Sequence, residues 1–545
     1  MKKNLFVLMT LLLGFVIQTC HAQSYSNEPP VLPLKTSGSV LFGQDIVINN
    51  RPDQDQRNLT ICSAPNGWLY SAYSYDSLGQ SIIELMRSKD KGLSWQFLGA
   101  VPFLGGPSEV IKKLDILVTG NNEPDQKLFL AVLAHEGLFN ADYVEFDRLK
   151  CDPFNFETQI FRNTSKSYHD IAIASDNNYP AIGSNPNSIG VVYSKTGTRD
   201  SLIFYSSSDG GITFNNRKVI ATTTKRFHKV ALSYGVSLSQ NTGRYFAAWE
   251  EQADSISNLG HIYTSHSNPN FNSSFTTPLM LDGIDPSLTN LCRNPVIACQ
   301  ANNVDNDSAN LSEVVLFEKF NPGSGDYDVT GFYNKKAATA NVFTRLNIAV
   351  TTNNELRPSI AFNPYDSTFT LTYFDSTTQK LPLLNKNFNL ANPDNWNIVS
   401  PGYNGNNNLT APGPKIIVSE GMHKACSGWT GNQSSGKGVA LFDATYIPSV
   451  GIAEDGQTDM VRLIRIFPNP CTTTMTVSFE VKCEERIVIS LRNLFGQQVA
   501  NLSDQTWQEG IHSVSYNVST FSAGIYYYTF KTGTYMASGK ICIIR

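Results

Sequence analysis

Charge is scarce in this chain: Asp, Glu, Lys and Arg make up only 16% of 545 residues and nearly cancel, leaving a net charge of -4. No basic stripe is available to neutralise phosphates, so nucleic acid is set aside as a partner. Beyond Ile17 no apolar run approaches the roughly 20 residues that a membrane-spanning helix needs, so no transmembrane segment is expected. None of the cysteines has metal-ligand spacing, which leaves no thiolate zinc site to expect. The Gly-x-Ser-x-Gly elbow, His-Glu-x-x-His and the phosphate loop are all missing, and the chemistries they serve go with them. Histidines are few and scattered; His135 and His423 read as turn or strand-end residues without partners at ligand spacing. No metal and no cofactor is expected.

What is abundant is turn chemistry. Gly, Asn, Ser, Thr and Tyr are plentiful, which suits many short strands joined by tight turns. The chain opens with Met1-Lys2-Lys3, an apolar run from Leu5 to Ile17, and Thr19-Cys20-His21-Ala22. Basic, apolar and small-residue regions in that order read as a secretory signal over 1–22, cleaved after Ala22. A lipoprotein reading would use Cys20, but Thr19 is a poor residue to precede a lipidated cysteine. Eight cysteines then remain in an oxidising compartment, which permits pairing without requiring it in a chain this long.

Self-similarity decides the architecture. Short apolar alternations end at Tyr73, Leu133, Tyr193, Trp249, Phe317, Tyr373 and Phe442, so the period is about 60 residues. A second short strand precedes most of them, as in Leu59–Cys62, Val230–Ser233, Val296–Cys299 and Ser359–Phe362, with small residues suited to a crowded axis. Each repeat reads as one four-stranded blade. The expected fold is all-β, a propeller of seven blades, or six if one repeat is an insertion. The strand around Ser39–Phe42 is expected to complete the last blade, since closing the ring removes exposed edges. Closure would also bring Cys62 and Cys426 together, and a disulfide there is one option.

Two turns share one pattern. Ser88-Lys89-Asp90-Lys91-Gly92-Leu93-Ser94-Trp95 returns as Ser207-Ser208-Asp209-Gly210-Gly211-Ile212-Thr213-Phe214. Asp side chains bond backbone N–H groups ahead of them, Gly takes φ > 0, and the aromatic plugs the next strand into the core. The octapeptide resembles the Asp-box of sialidase-like β-propellers, and a decayed version begins at Ser265-His266-Ser267. That resemblance locates blades and is silent on chemistry.

After Tyr446 the composition changes: 447–463 reads as a linker, and 464–545 as a small antiparallel β-sandwich with period-2 alternation between Gly and Asn turns. This last segment holds Phe467-Pro468-Asn469-Pro470, Asn493-Leu494-Phe495-Gly496, Ser522-Ala523-Gly524-Ile525-Tyr526 and a final strand with Lys540. The four motifs in this order resemble the type A sorting domain of type IX secretion cargo. The resemblance implies that the passenger, 23–446, crosses the periplasm and is delivered to the cell surface or beyond by that machinery. Asp76-Ser77-Leu78, Asp200-Ser201-Leu202, Asp254-Ser255-Ile256 and Asp307-Ser308-Ala309 are similar to an O-glycosylation acceptor motif of the same bacterial group. Asp-Ser is equally good turn chemistry.

For an active site, sialidases imply three arginines on one carboxylate, a Tyr/Glu pair and an acid/base Asp. Bidentate grip on a carboxylate needs Arg rather than Lys. Arg57, Arg293 and Arg357 each precede an inner strand, and Tyr373, Glu250 and Glu251 are available for the other roles, but the Arg-Ile-Pro signature is absent. A second pattern is acidic: Asp76, Glu136, Glu250, Glu318, Asp375 and Asp443 follow the second strands and would fall on one face of the disc, either as a cation-binding ring or as polar strand ends. The expectation is a secreted or surface module that binds a glycan or protein ligand through one propeller face, with a sialidase-like exo-glycosidase as the alternative.

Overall fold

Seven innermost strands touch one another in a closed cycle: Arg57–Ser63, Glu109–Thr119, Tyr168–Ser175, Arg226–Ser237, Cys292–Cys299, Glu355–Asn363, Lys415–Ser419, and back to the first. This computed structural model describes residues 45–102, 109–137, 139–165, 168–176, 188–237, 242–252, 259–268, 275–301, 311–337, 341–387, 395–405, 409, 412–433, 435–444, 461–467, 471–481, 484–493, 497–532 and 536–545. Outward from each innermost strand, three more pair antiparallel, so the described residues form seven four-stranded units, here blades 1 to 7. Blades 4 and 5 merge into one sheet through the single Gly260–Cys292 pair.

The second strands are buried on both faces, which explains their near-continuous apolar sequences: every residue from Leu128 to Ala134 is buried. Alternate side chains serve different neighbours. Tyr70 and Ala72 of blade 1 pack with Leu128, Val132 and Leu149 of blade 2. Leu69 and Tyr73 point the other way, to Ala440 and Phe442 of blade 7. A separate apolar core therefore fills each gap between consecutive blades, including the gap that closes the ring.

Closure is shared between chain ends. The outermost strand of blade 7 is Ile46–Val47, hydrogen-bonded beside Gly438–Ala444. Residues 39–42, expected to fill this place, lie outside the described residues. Blade 7 also corrects the repeat register. Phe442 sits on the third strand of its blade, and the second is Lys424–Asn432, where buried Trp429 stands. The apolar run ending at Phe442 looked like a second strand because third strands here are buried as well. Cys426 is thus on a second strand and faces the gap between blades 7 and 1, whereas Cys62 faces the gap between blades 1 and 2. Both thiols are free, so the closing disulfide that the sequence left as one option is not made.

The chain divides into two compact bodies, Met1–Tyr446 and Ile447–Arg545. In the second, Val461–Phe467, Thr474–Val481 and Gly510–Asn517 form one sheet. Gln498–Trp507, Glu485–Arg492, Gly524–Lys531 and Met536–Ile543 form the other. Met475, Val477, Phe479, Ile487, Ile489, Phe530, Ile541 and Ile543 bury their side chains in one core. The first strand begins at Val461, ahead of the Ile464 boundary read from the sequence.

Candidate functional site

Where the innermost strands begin, their pairing slips. The slip falls between Arg57 and Thr60, Tyr168 and Ile171, Phe227 and Val230, Arg293 and Val296, and Leu356 and Ser359. Asn58, Asn294 and Arg357 take left-handed backbone there, at φ 56, 52 and 54. A bulge of this kind frees backbone N–H groups from the ladder, and freed groups near the core need acceptors. Carboxylates of the preceding blade supply them. Asp170 accepts from Val230 N at 2.9 Å, Glu250 from Asn294 N at 3.0 Å, and Glu318 from Arg357 N at 2.8 Å.

The densest part of this rim spans blades 4 to 6. Glu250 and Glu318 are fully buried. Asn294 links them, its Nδ2 donating to Glu318 at 3.0 Å while its backbone N–H serves Glu250. Arg293 Nε donates to Glu318 Oε2 at 2.6 Å, and its guanidinium lies 3.7 Å from the centre of the Tyr327 ring. His228 Nδ1 stands 3.3 Å from Glu250. The result is a polar surface with both carboxylates already engaged by internal donors. Sequence reasoning found Arg293, Arg357, Glu250 and Glu318 but missed Asn294, His228 and Tyr327. The paired Asn294-Pro295 and Arg357-Pro358 steps, each at the mouth of an inner strand, were the available signal.

The three arginines do not converge on one partner: Arg293 and Arg357 both face Glu318, and Arg57 stands apart from them. Arg57 pairs with Asp76 of its own blade and lies 3.5 Å from Asp55. Arg293 is held by Glu318, the residue that also receives the Arg357 N–H. Tyr373 belongs to blade 6, where burial together with Glu355 and Asp375 pushes its hydroxyl up to about 12. Glu250 is a blade 4 residue latched to blade 5, and Glu251 faces Lys225 at 3.8 Å. The acidic set has no common role either: Glu136 lies 3.9 Å from Arg162, Asp375 accepts from Asn353, Thr377 and Thr378, and Asp443 stands on a third strand. Among the described residues no three His, Cys, Asp or Glu side chains gather as a metal site.

The central channel encloses about 220 Å³, lined by all seven innermost strands. Asp115 of blade 2 is buried against it and accepts from Thr60 at 3.4 Å and from Ile173 N at 3.4 Å. Lys415 of blade 7 brings its Nζ to 3.3 Å from the same carboxylate.

On the opposite face lie the Asp-boxes. Ser88 Oγ accepts from Gly92 N at 2.8 Å and donates to Asp90, which accepts from Ser94 N at 2.9 Å. Ser207, Asp209, Gly211 and Thr213 repeat these bonds. The weaker copy has decayed: the Ser265 hydroxyl turns to Thr276 instead. Of the Asp-Ser triplets, Asp76 and Ser77 end a strand, while Asp200–Leu202 opens one with Leu202 buried, so Asp-Ser does not form a turn there. Residues 254–256 and 307–309 lie outside the described residues.

Residues 465–544 match the secretion system C-terminal sorting domain. The tail is a sorting domain. The protein is therefore cargo of the type IX route, bound for the cell surface or the medium. Within the sorting domain Tyr526 donates to Ser522 O at 3.0 Å, Gly524 opens a strand and Lys540 lies on the final one. Pro468, Asn469, Pro470 and Gly496 fall outside the described residues. No helix among the described residues is long and apolar enough to cross a membrane.

No curated protein sequence matches the chain. Among solved structures, the chain is similar to the α-L-arabinofuranosidase Arb93A of Fusarium graminearum in complex with an iminosugar inhibitor. The identity is 12%, covering 75% of this chain and 99% of that one, with a TM-score of 0.42. A Penicillium chrysogenum α-L-arabinanase complexed with arabinobiose gives 12%, 74%, 98% and 0.41. The NanB sialidase of Streptococcus pneumoniae gives 10%, 76%, 71% and 0.38. The propeller fold rests on the chain's own strand pairing.

Proposed function

We propose that residues 23–446 are a passenger that binds an extracellular glycan or protein ligand, delivered by the sorting domain over 464–545. The ligand face is the rim where the innermost strands begin, centred on Arg293, Asn294, Glu318 and Arg357. One observation carries this reading: Arg57 and Arg293 are each neutralised by a carboxylate, so no open trio of arginines waits for an acidic sugar. Tyr373 and Glu250 serve different blade boundaries, which speaks against their acting together as a sialidase nucleophile pair. Hydrogen-bonding side chains set beside the Tyr327 ring suit hydroxyl-rich ligands, for which stacking on a ring and polar contacts at its edge act together. Glycan-array binding by the exported protein, weakened by Asn294→Ala, with no turnover of fluorogenic sialosides, is the expected outcome. Sialoside turnover would make it an exo-glycosidase instead.

A further inference from the structure

At the boundary between blades 5 and 6, four carboxylates are buried, and none forms an ion pair with a described residue. Glu355 and Asp375 stand directly opposite one another in the ladder of blade 6, and their exposures are 1% and 9%. Like charges in that position repel. Asp326 and Asp328, alternate residues on one face of a blade 5 strand, are buried beside them. Each of Glu355, Asp326 and Asp328 keeps one buried oxygen that receives no hydrogen bond. Their other oxygens accept from neutral donors only: Thr351 for Glu355, Ser324 and Asn321 for Asp326, Asn321 for Asp328.

The surrounding cations are committed elsewhere or stand off. Arg345 is paired with Asp285, and Arg293 with Glu318. Lys319 lies near Asp326 and Asp328 but forms an ion pair with neither. Lys380 meets Asp375 through backbone bonds. Tyr373 completes the set of titratable groups facing Glu355. Four negative charges in a buried space, with Lys319 and Arg345 acting only from beyond ion-pair distance, are costly, because the cost of desolvating each is added to their mutual repulsion. The arrangement favours taking up a proton.

We propose that Glu355 carries its proton in mild acid and gives it up around neutral pH, and that this release weakens the boundary between blades 5 and 6, making this part of the ring a proton-sensitive joint. Burial, with Asp328, Asp375 and Asp326 adding to it and Thr351 opposing, pushes the Glu355 carboxyl up to about 7. A group of that kind stabilises the fold fully below its ordinary value near 4, and the contribution is lost as pH rises to about 7.

The test compares melting of the full chain from pH 5 to pH 9 with that of Glu355→Gln, which keeps the neutral shape of the protonated acid. Wild type is expected to lose up to about tenfold in its folding equilibrium per pH unit through this one group. Glu355→Gln is expected to have a shallower slope and to match or exceed wild type at pH 8. Asp328→Asn, which removes a neighbouring charge, should move the transition to lower pH without abolishing it. An unchanged slope in both variants overturns the proposal. So does a saturable rise in melting temperature with calcium at pH 8 that Glu355→Gln removes, because the joint would then be a cation site.

Discussion

Trp95 of blade 1 meets Phe442 of blade 7 edge-on, with ring centroids 5.4 Å apart and planes at 69°. The contact joins two residues far apart in sequence, and Phe214 repeats it against Phe146 of blade 2 at 5.2 Å and 88°. In both places an Asp-box aromatic reaches a third-strand phenylalanine of the preceding blade. The turn is thereby a device for joining blades as well as for ending strands. Trp95→Ala should cost about 3–5 kcal/mol, the range for deleting a large buried aromatic. Urea unfolding measures it, and a cost below about 1 kcal/mol would show that Trp95 does not pack the closing gap.

The glycine of each box faces a ring as well. Gly92 and Gly211 adopt φ +92 and +79, and a Cβ on either would collide with Phe442 or Phe129. Gly211→Ala therefore meets both backbone strain and a clash with a buried ring. It should destabilise by at least about 1 kcal/mol, the scale set by left-handed backbone alone. The control is Gly325→Ala: φ is +77 but no atom lies within 4 Å, so strain acts without the clash. Equal costs at the two positions would remove the packing argument.

The arginines divide by burial of their partners. Glu318 is fully buried and loses its ion-pair partner in Arg293→Ala, with Arg357 left as the nearby cation, whereas Arg57 pairs with the exposed Asp76. Stranding a buried charge costs about 3–5 kcal/mol, while an exposed pair contributes about 0–1 kcal/mol. The expected urea midpoints separate accordingly, and Arg293→Ala/Glu318→Gln should recover much of the loss. If Arg57→Ala proved the more damaging change, the rim would not be organised around Glu318.

Much of this was legible in sequence because a propeller repeats its burial pattern. Trp249 and Tyr193 mark second strands for the same reason that Leu128 to Ala134 reads as an unbroken apolar run: both faces of the strand meet another blade. Phe442 was misplaced because periodicity records burial and not position within a blade. Ile46–Val47 was invisible because a two-residue strand carries no pattern, its place being fixed by pairing with Leu441 and Phe442. The rim was half legible. Arg293 and Glu318 stand out as charges beside strands, but Asn294 matters through a left-handed backbone and a bulge, which no residue type announces by itself.

Acidity should stabilise the body. Burial pushes the carboxyls of Asp176, Glu313 and Glu420 each up to about 7, and burial with Glu145 alongside raises Asp147. Each of these groups binds its proton more tightly folded than unfolded, so its contribution is complete below about pH 4 and declines as pH rises towards the folded value. Carboxylates held low act in the opposite sense: against the pull of burial, Ser207 and Thr213 hold Asp209 below its ordinary value, and Lys112 and His135 do so for Asp142. Their contribution fades only as pH falls beneath about 4, so the two sets leave an optimum on the acid side of neutrality. Melting temperature should accordingly be higher at pH 5 than at pH 8. Glu420→Gln should narrow that difference, although Tyr365, which donates to Glu420 and stacks on His423 at 3.7 Å, must stay in place for the comparison to hold. A melting temperature that climbs from pH 5 to pH 8 would mean these carboxyls are charged and paired in the folded chain, contrary to their burial.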